Sequence, residues 1–452
     1  MRHVLLAGVF LGLVGAAVIA IAQPPSPPAA SPATPPTAPP AVVVPPADSK
    51  TPTPPTTIPT GLATPPAGSG TPLAQFEPLA AFPHMTQAAV RGVLLGANWM
   101  TRTNQAQGRF LYGYDPALRQ PMPGDHDLKQ ACAALALSQA AKFSGDEKQA
   151  AVASQAILTL LAATKPDAAD ANCRVPVHSS LTCNRVGFAA TLALAIYELP
   201  GADAKLVAEA ERLCEFLRRQ CRPDGSVHYT DGQSDDPSRI DPEGVNEYPG
   251  MALQAIMVGN RAKPAAWKAE TVRKGMEYYR AKFKATSHPL LAATLTPACH
   301  EFYLQTKSAD AVAAVFEMND WLCSLQITVS DPREPQWAGG FRSITNGQSS
   351  VTPPGPETGL YVQSLACACQ LARLTPDLDR FAKYKGATND AARFLCTLQY
   401  LEANTRHFEN SFRAHMLIGA FHLTPTDGNL RIDASASAIS GLLRFLSSGA
   451  EN

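Results

Sequence analysis

Carboxylates, hydroxyls and histidines gather just before the apolar stretches of this chain. Asp125-His126-Asp127 precedes the first, Glu243, Glu247 and Tyr248 open the third, and Glu357 opens the fifth. If the third stretch is already helical at Glu243, that residue and Glu247 are spaced i, i+4 and share a face. Two acids so placed suit general acid/base catalysis, or a hard cation such as Ca²⁺. Near the C-terminus, Arg413 and His415 fall in a loop with Arg406, His407, His422, Arg431 and Asp433. A Tyr or His base beside a charge-neutralising Arg suits proton abstraction next to a uronate carboxylate. Asp127, Glu243, Glu247, Tyr248 and His415 are therefore the expected catalytic groups. Asp125, Tyr112, Tyr229, Trp337, Glu357 and Arg413 are expected to hold a substrate, the aromatics as stacking platforms or as the lining of an apolar pocket. Plainer roles exist for several: Asp125 or Asp127 as a helix N-cap, Glu357 as a first-turn acid. No CxxC or Cys/His spacing points to zinc.

A strict alternation of helix types positions these residues. Ala-rich segments, apolar nearly all round, lie at 128–143, 185–199, 246–258, 290–305, 358–374 and 434–446. Amphipathic segments lie between and before them, at 86–103, 147–163, 204–220, 264–283, 309–325 and 387–398. In 204–220, for example, Leu206, Ala210, Leu213, Cys214 and Leu217 form one stripe, with Lys205, Glu209, Arg212 and Glu215 off it. A helix apolar on every side must be buried on every side. Six buried helices inside six half-exposed ones predict an all-α (α/α)6 toroid. The first amphipathic helix lacks a preceding partner and the last apolar one lacks a following partner, so pairing the two closes the ring. Pro297 predicts a kink or a later start for its helix. Short turns lead from apolar to amphipathic helices and long polar loops lead back, so the long loops collect at one end. Long loops in a compact domain usually carry function.

A second signal repeats where amphipathic helices end. Trp99-Met100 precedes Asn104-Gln105 and Gly108-Arg109-Phe110, and Phe216-Leu217 precedes Gln220 and Asp224-Gly225. Trp321-Leu322 precedes Gln326 and Gly339-Gly340-Phe341, and Phe394-Leu395 precedes Gln399. The aromatic locks the helix to its neighbour, the Gln caps free backbone and the Gly turns the chain inward. These phrases resemble the Gln–Trp-type repeats of the terpenoid cyclase and protein prenyltransferase toroids. The helix count equally resembles the six-hairpin glycosidases and the toroidal polysaccharide lyases and epimerases. The spacing of the phrases varies, and no copy has the Trp that should follow the glycine.

Composition narrows the partners. The 452 residues carry 38 basic and 38 acidic side chains, with no basic run, which excludes nucleic acid on electrostatic grounds. Residues 1–22 read as a secretory signal or an uncleaved membrane anchor. Residues 23–75 hold 18 prolines among 53 residues and two charges, the composition of a disordered, extended linker. Residues 76–452 are expected to form one domain and a monomer. Of ten cysteines, Cys173 and Cys183 share a loop and are the pair placed for a disulfide. Export and a polar, acid- and Arg-rich face point to a carbohydrate-active or glycan-binding protein, a hydrolase, lyase or epimerase acting on an acidic polysaccharide or cell-envelope glycan. A terpenoid-cyclase-like or prenyltransferase-like toroid is the alternative, against which stands the absence of an Asp-x-Asp-Asp run. A non-catalytic surface scaffold is the third reading.

Overall fold

A computed structural model describes residues 79–178, 182–230, 244–331, 334–345, 348–350 and 352–450, all within the unit Ala67–Asn452. The expected signal or anchor (1–22) and linker (23–75) lie outside the described residues. Twelve long helices are described: α1 His84–Arg102, α2 Asp127–Ser144, α3 Glu147–Leu161, α4 Arg185–Glu198, α5 Ala204–Gln220, α6 Gly244–Ala262, α7 Ala266–Ala285, α8 Pro289–Thr306, α9 Ala309–Ser324, α10 Thr358–Leu374, α11 Leu378–Thr397 and α12 Ile432–Ser448. None is long and apolar enough to cross a membrane.

The chain folds as an (α/α)6 toroid. The even-numbered helices pack in one closed ring, α2–α4–α6–α8–α10–α12 and back to α2, and α1 packs on α12. In α4 every residue from Val186 to Ile196 is buried, as its unbroken apolar run demands. In α5 burial follows the stripe and ends at Ala210, Leu213, Cys214, Phe216 and Leu217. Asp146, Asp203, Ser308 and Asp377 close the short turns by accepting from backbone N–H groups of α3, α5, α9 and α11. The cap at Asp377 starts α11 at Leu378, nine residues before the apolar pattern becomes legible at 387. α8 starts at Pro289 and runs unbroken through Pro297, which lines the axial cavity. α6 likewise contains Pro249.

Four of the turns after outer helices share one construction. Single antiparallel bridges join Asn104 to Phe110, Cys221 to Val227, Gln326 to Phe341 and Gln399 to Phe421. Two residues before each second partner stands a glycine at positive φ: Gly108 (78°), Gly225 (91°), Gly339 (95°) and Gly419 (97°). Each seats against the next outer helix. A Cβ on Gly225 would lie 2.3 Å from the Lys274 carbonyl oxygen in α7, one on Gly339 2.1 Å from that of Asp390 in α11, and one on Gly419 2.2 Å from that of Leu95 in α1. Gln399 Nε2 donates to the carbonyls of Gly92 and Gly419, both at 2.9 Å, and so joins α11 to α1.

Eight short strands ride on the long loops: β1 Gly113–Asp115, β2 Gln120–Pro121, β3 Thr164–Pro166, β4 Arg174–Pro176, β5 Ser343–Thr345, β6 Gln348–Ser350, β7 His422–Thr424 and β8 Asp427–Arg431. β3–β4 and β5–β6 are hairpins, whereas β2-β1-β8-β7 is an antiparallel sheet that joins the first loop to the last. All ten cysteines are free thiols. The expected Cys173–Cys183 disulfide is therefore not formed; both are buried as small apolar groups of the core.

Candidate functional site

The six inner helices all begin at one end of the barrel, where the long loops gather. A cavity of about 450 Å³ opens there along the axis. Its wall carries three carboxylates from three inner helices: Glu247 in the first turn of α6, Glu357 at the N-terminal boundary of α10 and Asp433 in the first turn of α12. First-turn acids complement the positive ends of the helix dipoles. Asp433 is held by a two-point fork, Arg431 Nε to Oδ1 at 2.6 Å and Nη2 to Oδ2 at 2.9 Å. Lys129 Nζ lies 3.6 Å from the same carboxylate and donates to Tyr112 Oη at 3.3 Å. The two lysine and arginine cations of the wall are thus both committed to one acid. Glu357 Oε1 accepts from the Gly355 N–H at 3.2 Å.

His126, the residue before α2, presents its ring to the same cavity. Its Nδ1 is buried and has no hydrogen-bond partner among the described residues. Burial first, and then Lys129, pushes this imidazole below the usual histidine range, which keeps it neutral at neutral pH. Tyr248 forms one side of the wall at 9 % exposure, with its ring centroid 6.4 Å from that of Tyr229. Gly187 in α4 makes this possible, because a Cβ there would lie 2.6 Å from the Tyr248 ring.

The structure brings Glu247, Tyr248 and Glu357 to one cavity, and Tyr112 and Tyr229 stand directly behind it. Glu243 lies outside the described residues, so only Glu247 of that acid pair is in view, and no cluster of three or more metal-ligating side chains occurs among the described residues. Asp125 and Asp127 do not reach the cavity wall. Arg109 bridges both of them, Asp125 also accepts from Gln130 Nε2 at 2.8 Å, and His178 Nε2 lies 2.7 Å from Asp127 Oδ2. This network fixes the Gly108-Arg109-Phe110 turn to the start of α2, and Gln130 completes it by pairing with the Phe110 backbone at 2.8 and 2.9 Å. Trp337 is core, at 7 % exposure. Arg413 is paired with Glu402 at 3.1 Å. His415 is exposed, and its carbonyl accepts from Arg102 at 2.8 Å, away from the barrel axis.

Four acidic or basic wall residues lie outside the expected set. His126, Arg431 and Asp433 were visible as charged neighbours of helix starts, but only the ring closure carries α12 next to α2. Lys129 gives no signal in the sequence, being one lysine in the first turn of an otherwise apolar helix.

No known family profile and no curated protein matches the chain. Solved structures do. A D-mannose isomerase superposes with a TM-score of 0.58 at 10 % identity, covering 81 % of this chain and 99 % of its own. The GH76A α-1,6-mannanase from Salegentibacter sp. HEL1_6 gives 0.56 at 10 % identity, with 80 % and 99 % covered. An unsaturated glucuronyl hydrolase specific for heparin gives 0.53 at 10 % identity, with 80 % and 97 % covered. All three are α/α toroids of the six-hairpin glycosidase type, and at these identities what this chain shares with them is the fold.

Proposed function

We propose that this chain is a carbohydrate-active enzyme that binds a neutral glycan in the axial cavity and cleaves it by acid/base catalysis. The observation that carries this reading is the convergence of Glu247, Glu357 and Asp433 from three separate inner helices on one cavity of saccharide size. Glycoside hydrolysis needs two carboxyl groups flanking the scissile bond, one to protonate the leaving oxygen and one to activate water or attack. Glu247 and Glu357 stand on α6 and α10, which flank α8, and so face the same bound ring from two sides. Asp433, tied to Arg431 and Lys129, supplies fixed charge and orientation. Tyr248, backed by Tyr229, offers an apolar face for a sugar ring. A neutral glycan is favoured over a uronate because Arg431 and Lys129 are already paired with Asp433, and Arg413 with Glu402. Similarity of fold to enzymes named for mannan, mannose and unsaturated glucuronides supports the general class. Action outside the cell, released or held by residues 1–22, is part of the same proposal and rests on that segment's composition.

A second reading is favoured by His126. A neutral, unpartnered imidazole opposite carboxylates suits proton transfer at a sugar carbon, as an epimerase or lyase requires. The two are separated by variants of the full chain assayed on neutral oligosaccharides, with reducing-end release and product stereochemistry as readouts. Glu247→Gln and Glu357→Gln should each lower kcat by about 10²–10⁴ with melting temperature unchanged. His126→Asn should then retain most activity. Loss confined to His126→Asn would establish the proton-transfer reading instead. Full activity in both glutamate variants would overturn the site.

A further inference from the structure

Below the candidate site the barrel axis is crossed by one ring of side chains, one from each inner helix: Leu135, Leu194, Gln254, Pro297, Gln363 and Ser440. These six wall the upper cavity and also a second one, of about 290 Å³, at the C-terminal ends of the inner helices. The lower chamber has its own charged ring. In order around the barrel stand Lys142, Glu198, Arg261, Glu301, Cys367 and Arg444. The signs alternate, and the first four pair off: Lys142 Nζ lies 3.0 Å from Glu198 Oε2, and Arg261 Nε lies 2.8 Å from Glu301 Oε1. The alternation ends there: α10 contributes a neutral thiol and α12 a third cation, so Arg444 has no acid of its own in the ring.

Arg444 consequently has soft, neutral partners. Its Nε and Nη2 lie 3.3 and 3.1 Å from Cys367 Sγ, and Nη2 donates to His300 Nδ1 at 2.9 Å. A guanidinium cannot accept a hydrogen bond, so Nδ1 of His300 carries no proton. Burial, reinforced by Arg444, pushes His300 down to about 3, and burial pushes the Cys367 thiol up, so both stay neutral. The chamber therefore holds three cations and two anions. Arginine's planar fork is the side chain best suited to a carboxylate, and here no protein carboxylate fills it.

We propose that the lower chamber is a second ligand site that takes a small monoanionic carboxylate, a sugar acid or hydroxy acid, seated on Arg444. One excess positive charge matches one negative charge. The negative ends of six helix dipoles converge here and disfavour a dianion such as phosphate. Gln139, Gln363 and Ser440 line the chamber, with Ser440 Oγ donating to Gln139 Oε1 at 2.8 Å, a set suited to ligand hydroxyls. The volume sits at the small end of ligand pockets. Lys142 and Arg261 are 60 % and 57 % exposed, so the chamber is reached from solvent at the end opposite the proposed glycan site.

The test is calorimetric titration of the full-length protein with D-gluconate and D-glucuronate, with D-glucose and inorganic phosphate as controls. One of the two sugar acids should bind at least tenfold more tightly than glucose or phosphate. Arg444→Gln should weaken it at least tenfold, and Glu247→Gln in the upper cavity should leave it unchanged. Cys367→Asp is the second variant: it sets a carboxylate beside Arg444, should pair with it, keep the fold and abolish binding. Binding of neither acid, equal binding by Cys367→Asp, or preference for phosphate would overturn the proposal. Loss of binding in Glu247→Gln would place the acid in the upper cavity and overturn it equally.

Discussion

The buried ammonium of Lys268 is held by a complete set of partners. Lys268, at 1 % exposure, reaches both oxygens of Glu211 at 2.9 and 2.8 Å and the carbonyls of Gly259 and Lys263 at 3.0 Å. Tyr197 Oη donates to the same Glu211 at 2.6 Å, so one ammonium ties α4, α5 and α7 to the end of α6. Lys268→Met strands the Glu211 carboxylate and should cost about 3–5 kcal/mol, measured by urea unfolding. The double variant Lys268→Met/Glu211→Leu should recover part of that loss, because no unpaired charge remains. A Lys268→Met protein within about 1 kcal/mol of wild type would refute the clamp.

His300 gives a second expectation at the same scale. Its folded pKa is about 3, against about 6.5 unfolded, so between those values the unfolded chain binds one proton more than the native one. Stability is fully present above pH 6.5 and falls as pH drops toward 3, by up to about 1.4 kcal/mol per unit for this group. His126 and His422 are shifted in the same direction by burial and add to the slope. His300→Gln should flatten the dependence between pH 7 and 5 relative to wild type, and an unchanged slope would exclude His300 as its source.

At the scale of elements, the recurring glycine turns separate backbone strain from crowding. Gly339→Ala must place a Cβ 2.1 Å from the Asp390 carbonyl oxygen at φ 95°, and should cost about 3 kcal/mol or more. Gly201→Ala has a positive φ of 71° but nothing within 4 Å, and should cost about 1 kcal/mol. Gly386→Ala lies inside α11 with nothing within 4 Å, and should stabilise by about 0.5–1 kcal/mol through its helix propensity. Thermal melting of the three variants must give this order. A tolerated Gly339→Ala would show that the turn does not seat on α11.

At the scale of the whole molecule, closure decides behaviour. α12 is wedged between α10 and α2 and also carries α1, and β1 in the first long loop pairs with β8 in the last. An open solenoid of hairpins could fray from its ends in steps. A closed ring has no end to fray, so calorimetry should show a single transition whose calorimetric and van't Hoff enthalpies agree. Deleting 432–452 removes one wall of both cavities and should abolish that transition, whereas a stepwise melt of the intact protein would contradict the coupling between ring members.

The helices and their two classes were legible in the sequence alone, because burial on all sides or on one stripe is written directly in apolar periodicity. The sequence also determined the end of the barrel at which a site should lie, because loop lengths are visible in the chain, and it placed Glu247, Tyr248 and Glu357 at helix starts. It did not determine which acids share the cavity. Asp125 and Asp127 carry the same spacing signal as Glu247, yet Arg109 and His178 draw them away, and Arg109 is a loop residue whose reach depends on the turn at Gly108. Lys129, Arg431 and Asp433 meet only because α12 returns to α2 about three hundred residues after α2 begins. The fourth glycine turn is illegible in the sequence for a related reason: Gly419 stands 20 residues after Gln399, and only the bridge to Phe421 shows that it is the same device. Local periodicity fixes elements, whereas the partners of a charge depend on contacts between residues far apart in the chain.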